Sequence, residues 1–428
     1  MRIAYIVGSF PHVSETFIVN QIAGMAARGH EVDVFTTVAS TNGEIPARVR
    51  RFGLTRRTYF LFGSPNYLLR FLAVAWLLLR YGWCAPGVVF RSLNVSRYGT
   101  TAASLGLLAA GLTVCGKRGG QYDIVHCQFG TYGQLALKLM DIGALSGALV
   151  VSFRGFDATR ALRVDARCYD EVFRRADLVL PVSQALAKRL VAAGCDHAKI
   201  QVLHSGIELS QFISKMTNRS SSEATRVVAV ARLTEKKGME YAIRAAAHVV
   251  ATGRKLTLDI VGDGPLRGAL ERVIRDLHMD DHVRLLGWRS HEQVISMLGR
   301  AHVLVAPSVT AAGGDEEGIP NAAKEAMALG IPVVGTQHGG IPELVEEGVS
   351  GFLVPERDDK ALAERLVHLV DHPEIRAGMG RAGLARVVAE FDIHRLNDEL
   401  ASLYEELSSR SHAPPVEPSM DVARRRSV

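Results

Sequence analysis

The chain has 428 residues, 48% hydrophobic and 22% charged, with 50 Lys and Arg against 44 Asp and Glu. That balance excludes disordered, collagen-like and small disulfide-stapled classes, and the length predicts two globular domains, or three. The net charge of +6 hides a split: residues 1–214 sum to +10 and residues 215–428 to −4.

Arg48 to Arg118 holds eleven Lys or Arg and no Asp or Glu in 71 residues, and the same stretch is strongly apolar. Five scattered cysteines (Cys84, Cys115, Cys127, Cys168, Cys195) form no C-x-x-C pair. They read as reduced thiols of a cytosolic protein, with neither a zinc site nor a disulfide framework indicated. Met1–Gly8 has no charged region, long apolar run and cleavage site in series, so it reads as a first strand and not as a signal peptide.

Short apolar runs alternate with helical patterns along the whole chain, the signature of parallel α/β architecture. In chain order, strands are predicted at Ile3–Val7, Val32–Thr37, Ile124–Cys127, Leu149–Phe153, Leu178–Val182 and Ile200–Leu203, with helices such as Glu15–Arg28 and Gln184–Ala193 between several of them. The polar, Ser-rich run from Ser214 to Ala224 has the composition of a linker. Beyond it, strands Val227–Ala231, Leu256–Val261, Val283–Leu286, Val303–Ala306, Val333–Thr336 and Phe352–Val354 alternate with helices near Met239–Ala251, Pro265–Leu277, Glu292–Gly299, Pro320–Leu329 and Lys360–Leu369. Two doubly wound Rossmann-like domains facing across a cleft are expected. The divisions are 1–212 for the N-terminal domain, 213–224 for the linker and 225–385 for the C-terminal domain. A helical segment at 386–410, able to cross back to the N-terminal domain, and a disordered tail at 411–428 follow. The tail carries three prolines and ends in Arg424-Arg425-Arg426.

In such sheets ligands bind at the carboxyl ends of strands. After Ala231 the run Arg232 to Gly238 places Arg232 and Lys237 at a loop mouth before a helix, a setting that suits a diphosphate as well as it suits an incidental basic pair. Gly262-Asp-Gly264-Pro265 is a tight turn with Pro at the first helical position, more often structural than ligand-binding. The third turn reads Asp315-Glu-Glu317-Gly318-Ile319-Pro-Asn321 and continues to Glu325. Glu317 precedes the helix and Glu325 lies within it, about 7 Å further along at about 1.5 Å per residue. Two carboxylates so placed can accept from hydroxyls at two ends of one polar ligand, with free amides between them for an anion. Each alone also fits a helix cap or an internal ion pair. Gln337-His-Gly339-Gly340-Ile-Pro-Glu343 either faces the same ligand or makes room for it.

The order and spacing of Arg232, Lys237, Gly262-Asp-Gly-Pro265, Glu317-x7-Glu325 and Gly339-Gly-Ile-Pro-Glu343 resemble those of the retaining, metal-independent GT-B glycosyltransferases of family four. Phe10 to Ile18, Gly29-His-Glu-Val32, His126-Cys-Gln-Phe-Gly130 and Ser152-Phe-Arg-Gly-Phe-Asp157 are similar to the bacterial exopolysaccharide branch, the colanic acid and amylovoran transferases. The likeness spans about residues 2 to 405. It implies the GT-B fold, with 1–212 as the acceptor-binding and 225–385 as the nucleotide-sugar-binding domain, and transfer of a hexose from a nucleotide diphosphate sugar to a lipid-linked oligosaccharide or polysaccharide precursor. Arg232 and Lys237 would hold the donor diphosphate, backed by amides at Gly318, Ile319 and Asn321. Glu317 would contact the transferred sugar and Glu325 the ribose, with Gly262 and Gly264 near the nucleotide. Preorganised cations and amides would meet the charge developing on the leaving diphosphate in place of a metal. No cofactor is expected, and no Asp-x-Asp motif occurs.

Relatives carry His where this chain has Arg154, which stays charged and cannot accept a proton. Arg154, Asp157 and His126 remain candidates for the acceptor side, Asp157 as a partner of Arg154. Gln128 replaces another common His. Trp288 is placed near the base.

Leu68–Leu79, with Arg70 inside and Arg80, Tyr81 and Trp83 following, is too short to span a bilayer, which takes about 20 residues. It fits an interfacial helix docked on anionic lipid, and Ala102–Val114 is similarly apolar; both also fit core helices. Peripheral attachment at the inner face of the membrane is therefore expected, with a cytoplasmic body and no nucleic-acid partner, because the basic residues are interleaved with aliphatic runs. The competing readings are a non-catalytic membrane-associated assembly partner with this fold, and a sugar-nucleotide epimerase.

Overall fold

The apolar runs assemble into two six-stranded parallel sheets in a computed structural model that describes residues 1–11, 15–38, 45–62, 67–213 and 224–412. The first sheet contains β1 (Arg2–Val7), β2 (Glu31–Thr36), β3 (Thr58–Phe60), β4 (Gln121–Cys127), β5 (Ser146–Phe153) and β6 (Leu178–Pro181). The second contains β7 (Thr225–Val230), β8 (Leu256–Val261), β9 (Val283–Gly287), β10 (Val303–Ala306), β11 (Val333–Thr336) and β12 (Gly351–Val354). Their orders, β3-β2-β1-β4-β5-β6 and β12-β11-β10-β7-β8-β9, are the same topology seen twice. Each sheet therefore reverses its winding once, between β1 and β4 and between β7 and β10, and the carboxyl ends at that reversal open a crevice.

The strands are continuous Val, Ile and Leu runs because both faces are covered. Ile3, Ala4, Tyr5, Ile6 and Val7 are all at 0% exposure, as expected for parallel sheets packed between helices. One predicted strand is corrected: Ile200–Leu203 meets β6 by a single bridge, Val179 to Ile200. Gln201 and Leu203 donate to the carbonyls of Val179 and Pro181, but Pro181 has no N–H to return a bond and the ladder stops. The edge strand β3 gave no alternating pattern; all three of its residues are half-buried.

The C-terminal helix Ile393–His412 lies on the first sheet. Leu396, Leu400, Tyr404 and Leu407 share a core with Ile3, Tyr5, Ile22 and Val150. Ile207, Leu209 and Phe212 belong instead to the core of the second sheet. The chain thus crosses between the halves before residue 207, earlier than the boundary of 212 drawn from composition, and returns at Phe391–Ile393. The two crossings pair: Ile207 donates to Phe391 O (2.9 Å) and Ile393 to Ile207 O (3.1 Å). The Ser-rich run 214–223, the tail 413–428 and parts of the predicted N-terminal motif at 12–14 lie outside the described residues.

The two apolar candidates of the basic stretch differ in their surroundings. Helix Gly106–Cys115 is core, with Leu107, Leu108, Ala110, Leu112 and Val114 buried. Helix Tyr67–Tyr81 buries Val74 against Leu108, Ala109 and Leu112, yet leaves Phe71, Leu72, Trp76 and Leu79 at 55–77% exposure on its outer side. Trp83 (87%) and Phe90 (78%), in the segments that follow, are also exposed. Among the described residues no helix is long and apolar enough to cross a membrane.

Candidate active site

A cleft of about 640 Å³ opens between the two halves. Arg232 and Lys237 reach it from the loop after β7, Glu317 to Asn321 from the loop after β10, and Glu325 from the helix Asn321–Ala328 that follows. These are the strand ends at the reversal of the second sheet. Arg154, Gly155 and Ser205 form part of the facing wall.

Glycines let these loops close on one another. A Cβ at Gly238, whose φ is +62°, would lie 1.8 Å from the Pro307 carbonyl, so only glycine lets the Lys237 loop press on the end of β10. At Gly339, φ +52°, a Cβ would meet Glu317 O at 2.0 Å. The Gly339-Gly340 turn therefore makes room for the Glu317 segment, and Gly340 N donates to Gly318 O (2.8 Å). Gly262 and Gly264 do not line the cleft. Cβ atoms there would strike Ala231 and Leu233 backbone at 1.9 and 2.6 Å, so these two glycines buttress the loop that carries Arg232.

The Lys237 ammonium faces Glu317 Oε2 in a close ion pair with side chains only 18% and 14% exposed. Burial pushes the Glu317 carboxyl up, but Lys237 and Lys236 outweigh it and hold the group below its ordinary range. Lys236 donates to Asp315 Oδ1 at 3.1 Å and to Glu316 O at 3.3 Å, bracing the same turn. Glu317 N donates to His338 Nε2 (3.0 Å), and His338 Nδ1 meets Glu356 Oε1 (2.6 Å). That chain makes Nε2 the acceptor nitrogen and places the ring proton on Nδ1. Arg232 is exposed, with no ion pair among the described residues. Burial raises the Glu325 carboxyl, against the opposing pull of His291 and Lys324. Trp288, 65% exposed, also lines the cleft. No group of three His, Cys, Asp or Glu among the described residues is arranged to hold a metal ion.

Two further candidates are corrected. His126 is fully buried away from the cleft, with Nε2 2.7 Å from Ser152 Oγ and Nδ1 against the Tyr404 hydroxyl, itself 2.9 Å from Tyr5 OH. Burial pushes its pKa far down, and Arg154 adds to this, so it is a neutral core hydrogen-bonder. Asp157 does not pair with the Arg154 guanidinium either: its oxygens accept from the backbone N–H groups of Gly130, Arg154 and Gly155 at 3.0–3.1 Å. It is a buried turn-former that holds two strand ends together. Replacing Tyr404 by Phe is accordingly expected to cost about 1–3 kcal/mol, through unsatisfied His126 and Tyr5. Thermal unfolding would read that loss, and the Michaelis constants of the folded fraction would stay unchanged.

Sequence reasoning missed three groups that hold the cleft. Glu316 takes the Arg189 guanidinium across the halves at 2.5 and 2.6 Å. Glu343 accepts from Gln184 N and Ala185 N at 2.8 and 2.9 Å, capping a first-half helix from the second half. Lys324, completely buried, donates to Ser205 O at 2.6 Å. Each partner lies more than 100 residues away, and spacing along the chain carries no sign of it.

Two family profiles cover most of the chain: "Glycosyl transferase 4-like domain" over residues 14–206 and "Glycosyl transferases group 1" over 212–386. A protein of Salmonella typhimurium named colanic acid biosynthesis glycosyltransferase WcaL is 36% identical over 94% of this chain and 99% of its own length. The amylovoran biosynthesis glycosyltransferase AmsK of Erwinia amylovora is 35% identical over 95% and 100%. Among solved structures, Anabaena Alr3699/HepE in complex with UDP superposes with a TM-score of 0.69 at 19% identity, covering 95% of this chain and all of that one. Sucrose-phosphate synthase from Thermosynechococcus elongatus gives 0.70 at 21% identity over 96% and 100%. With its two reversed sheets and the cleft between them, the chain belongs to the GT-B glycosyltransferase family that includes the colanic acid and amylovoran biosynthesis glycosyltransferases.

Proposed function

We propose that this glycosyltransferase is a retaining, metal-independent hexosyltransferase of exopolysaccharide biosynthesis, which takes a nucleotide diphosphate sugar as donor and a lipid-linked oligosaccharide or polysaccharide precursor as acceptor. The observation that carries the reading is the convergence of Arg232, Lys237, Glu317, the start of helix Asn321–Ala328 and Glu325 on one wall of one cleft. The names of WcaL and AmsK support the pathway. The UDP and UDP-glucose in the HepE complexes support the donor class.

Arg232 and Lys237 bind the diphosphate, and the free amides from Gly318 to Asn321 direct N–H groups at it. Negative charge grows on that diphosphate as the glycosidic bond breaks, and fixed cations and amides stabilise it without reorganising. Glu317, held rigidly by Lys237 and by the His338–Glu356 chain, accepts from sugar hydroxyls. Glu325 accepts from the ribose hydroxyls. The acceptor attacks the face the diphosphate leaves, and a departing phosphate oxygen takes the acceptor proton, which conserves the anomeric configuration. Purified protein given a panel of nucleotide sugars and a lipid-linked acceptor tests this. Transfer with retained configuration, in the presence of a chelator, is expected; inversion would contradict it.

The acceptor's lipid places the enzyme peripherally on the inner face of the cell membrane, its body in the cytoplasm. Phe71, Trp76, Leu79, Trp83 and Phe90 form the contact, with the exposed Arg80 and Arg91 beside them and no carboxylate in the surrounding sequence. Cations near anionic lipid contribute about 1 kcal/mol each, and a buried aromatic about 1.5–3 kcal/mol. Replacing Trp76, Trp83 and Phe90 together by Ser is expected to weaken co-sedimentation with anionic phospholipid vesicles by at least about tenfold. Unchanged sedimentation would count against this face.

A further inference from the structure

Two cations from opposite halves meet at one serine on the cleft wall. Arg154 Nη1 donates to Ser205 Oγ at 3.2 Å, and Lys324 Nζ donates to the carbonyl of the same residue. Every other polar partner of the Arg154 side chain is also a neutral oxygen: Gln128 Oε1 at 3.1 Å from Nε and 2.5 Å from Nη2, and Gln21 Oε1 at 3.0 Å from Nη2. Gln128 Nε2 donates to Gln21 Oε1 at 2.9 Å, which turns both amide oxygens toward the guanidinium. The Phe17 ring lies 4.7 Å from it.

No carboxylate among the described residues touches this guanidinium, since Asp157 bonds only backbone amides. Burial lowers its pKa to about 10, which leaves it charged at neutral pH. Asp157 and Glu15 act on this charge only at longer range, and Arg154 is partly exposed on the cleft wall, where a ligand can reach it. The Arg154 backbone approaches the second half, since a Cβ at Gly318 would lie 3.1 Å from Arg154 O, and Arg154 lines the same cleft as Gly318. A planar fork fixed by neutral oxygens and bonded directly to no carboxylate suits one ligand chemistry, the phosphoryl oxygens of a diphosphate.

We propose that Arg154, seated by Gln21, Gln128 and Ser205, is a diphosphate-binding subsite on the first-half wall, opposite the cations of the second half. The proposal rests on and deepens the reading above: the diphosphate is either that of the nucleotide donor, shared across the cleft, or one that joins an acceptor glycan to its lipid. Its first measurement, with inorganic pyrophosphate, does not depend on that reading.

Titration calorimetry on the full chain would compare wild type, Arg154→Gln, Arg154→Lys and Ser205→Ala, using pyrophosphate, UDP, GDP and a short-chain prenyl diphosphate. Arg154→Gln is expected to weaken pyrophosphate binding at least tenfold, Arg154→Lys less. Ser205→Ala, which keeps the carbonyl that Lys324 uses, is expected to weaken it about threefold. A parallel loss for UDP or GDP assigns the donor diphosphate; a loss confined to the prenyl diphosphate assigns the acceptor. Pyrophosphate affinity within twofold of wild type in Arg154→Gln, or no binding by wild type, overturns the subsite. Should Arg154→Gln fail to fold, Ser205→Ala decides, and unchanged affinity there overturns it. Pyrophosphate binding that depends on Arg154 without glycosyl transfer from any donor would keep the subsite and remove the transferase reading.

Discussion

Glu317→Gln is expected to lower kcat for glycosyl transfer by about 10²–10³-fold with little change in donor affinity. The substitution is isosteric, so the sugar contact loses charge and not shape. The transition state needs that charge most, because the ring becomes electron-poor as the diphosphate departs. Lys237 loses its buried counter-charge but gains freedom toward the donor phosphates, while Lys236 keeps Asp315, so binding is maintained while the rate falls. The folded state pays about 3 kcal/mol for a buried cation left without its partner. The pH dependence has a definite sign. The Glu317 carboxyl is held below its ordinary value of 4.5 by the lysines, despite burial. Its contribution is therefore complete above that ordinary value and disappears as pH falls through the lower, folded value. The melting-temperature gap between wild type and Glu317→Gln should be constant near neutrality and shrink below about pH 4.5. Stopped assays and calorimetric scans read the two effects separately.

Lys324→Met is expected to do the opposite to stability and still harm function. Burial lowers the Lys324 ammonium from 10.5 to about 7. Between those values the unfolded chain holds a proton that the folded chain does not, so wild-type stability rises with pH across that window. Below about pH 7 both states are protonated and the penalty is complete. Methionine fills a similar volume without charge, although it abandons the Ser205 carbonyl at a cost of about 1–3 kcal/mol. The variant should melt about 2–4 °C above wild type near pH 6.5, with the gap closing as pH approaches about 10. Transfer should fall about tenfold, because Lys324 ties the helix Asn321–Ala328 to Ser205, and Ser205 holds Arg154. A melting difference independent of pH would show that Lys324 is not a buried charge.

The strand-level plan was legible because parallel strands buried on both faces are uninterrupted Val, Ile and Leu runs, and eleven of the twelve predicted runs are strands in the two sheets. Ile200–Leu203 failed because Pro181 cannot return its bond, a property of the neighbour and not of the run itself. That Arg232, Lys237, Glu317 and Glu325 share one cleft wall was legible for a related reason: they lie on, or one helical step beyond, turns whose glycines and prolines announce strand ends. The facing wall was not. His126 and Asp157 stand at strand ends too, and nothing in their spacing reveals that Tyr404, some 280 residues on, claims one, or that three backbone amides converge on the other. Lys324 adjoins Glu325 in a helix, where a buried ammonium and a solvated one look alike in sequence. Composition likewise could not separate Gly106–Cys115, wrapped in side chains, from Tyr67–Tyr81, which turns two aromatics outward.

The most direct test of the donor site is thermal unfolding of the purified chain with UDP-, GDP- and dTDP-sugars in turn, repeated on Lys237→Met. One nucleotide sugar is expected to stabilise the wild type by RT ln(1 + [L]/Kd), about 2.7 kcal/mol at a hundred times Kd, and to lose that effect in the variant. The account would be contradicted if no sugar nucleotide stabilised the wild type, or if the stabilising one acted equally on Lys237→Met.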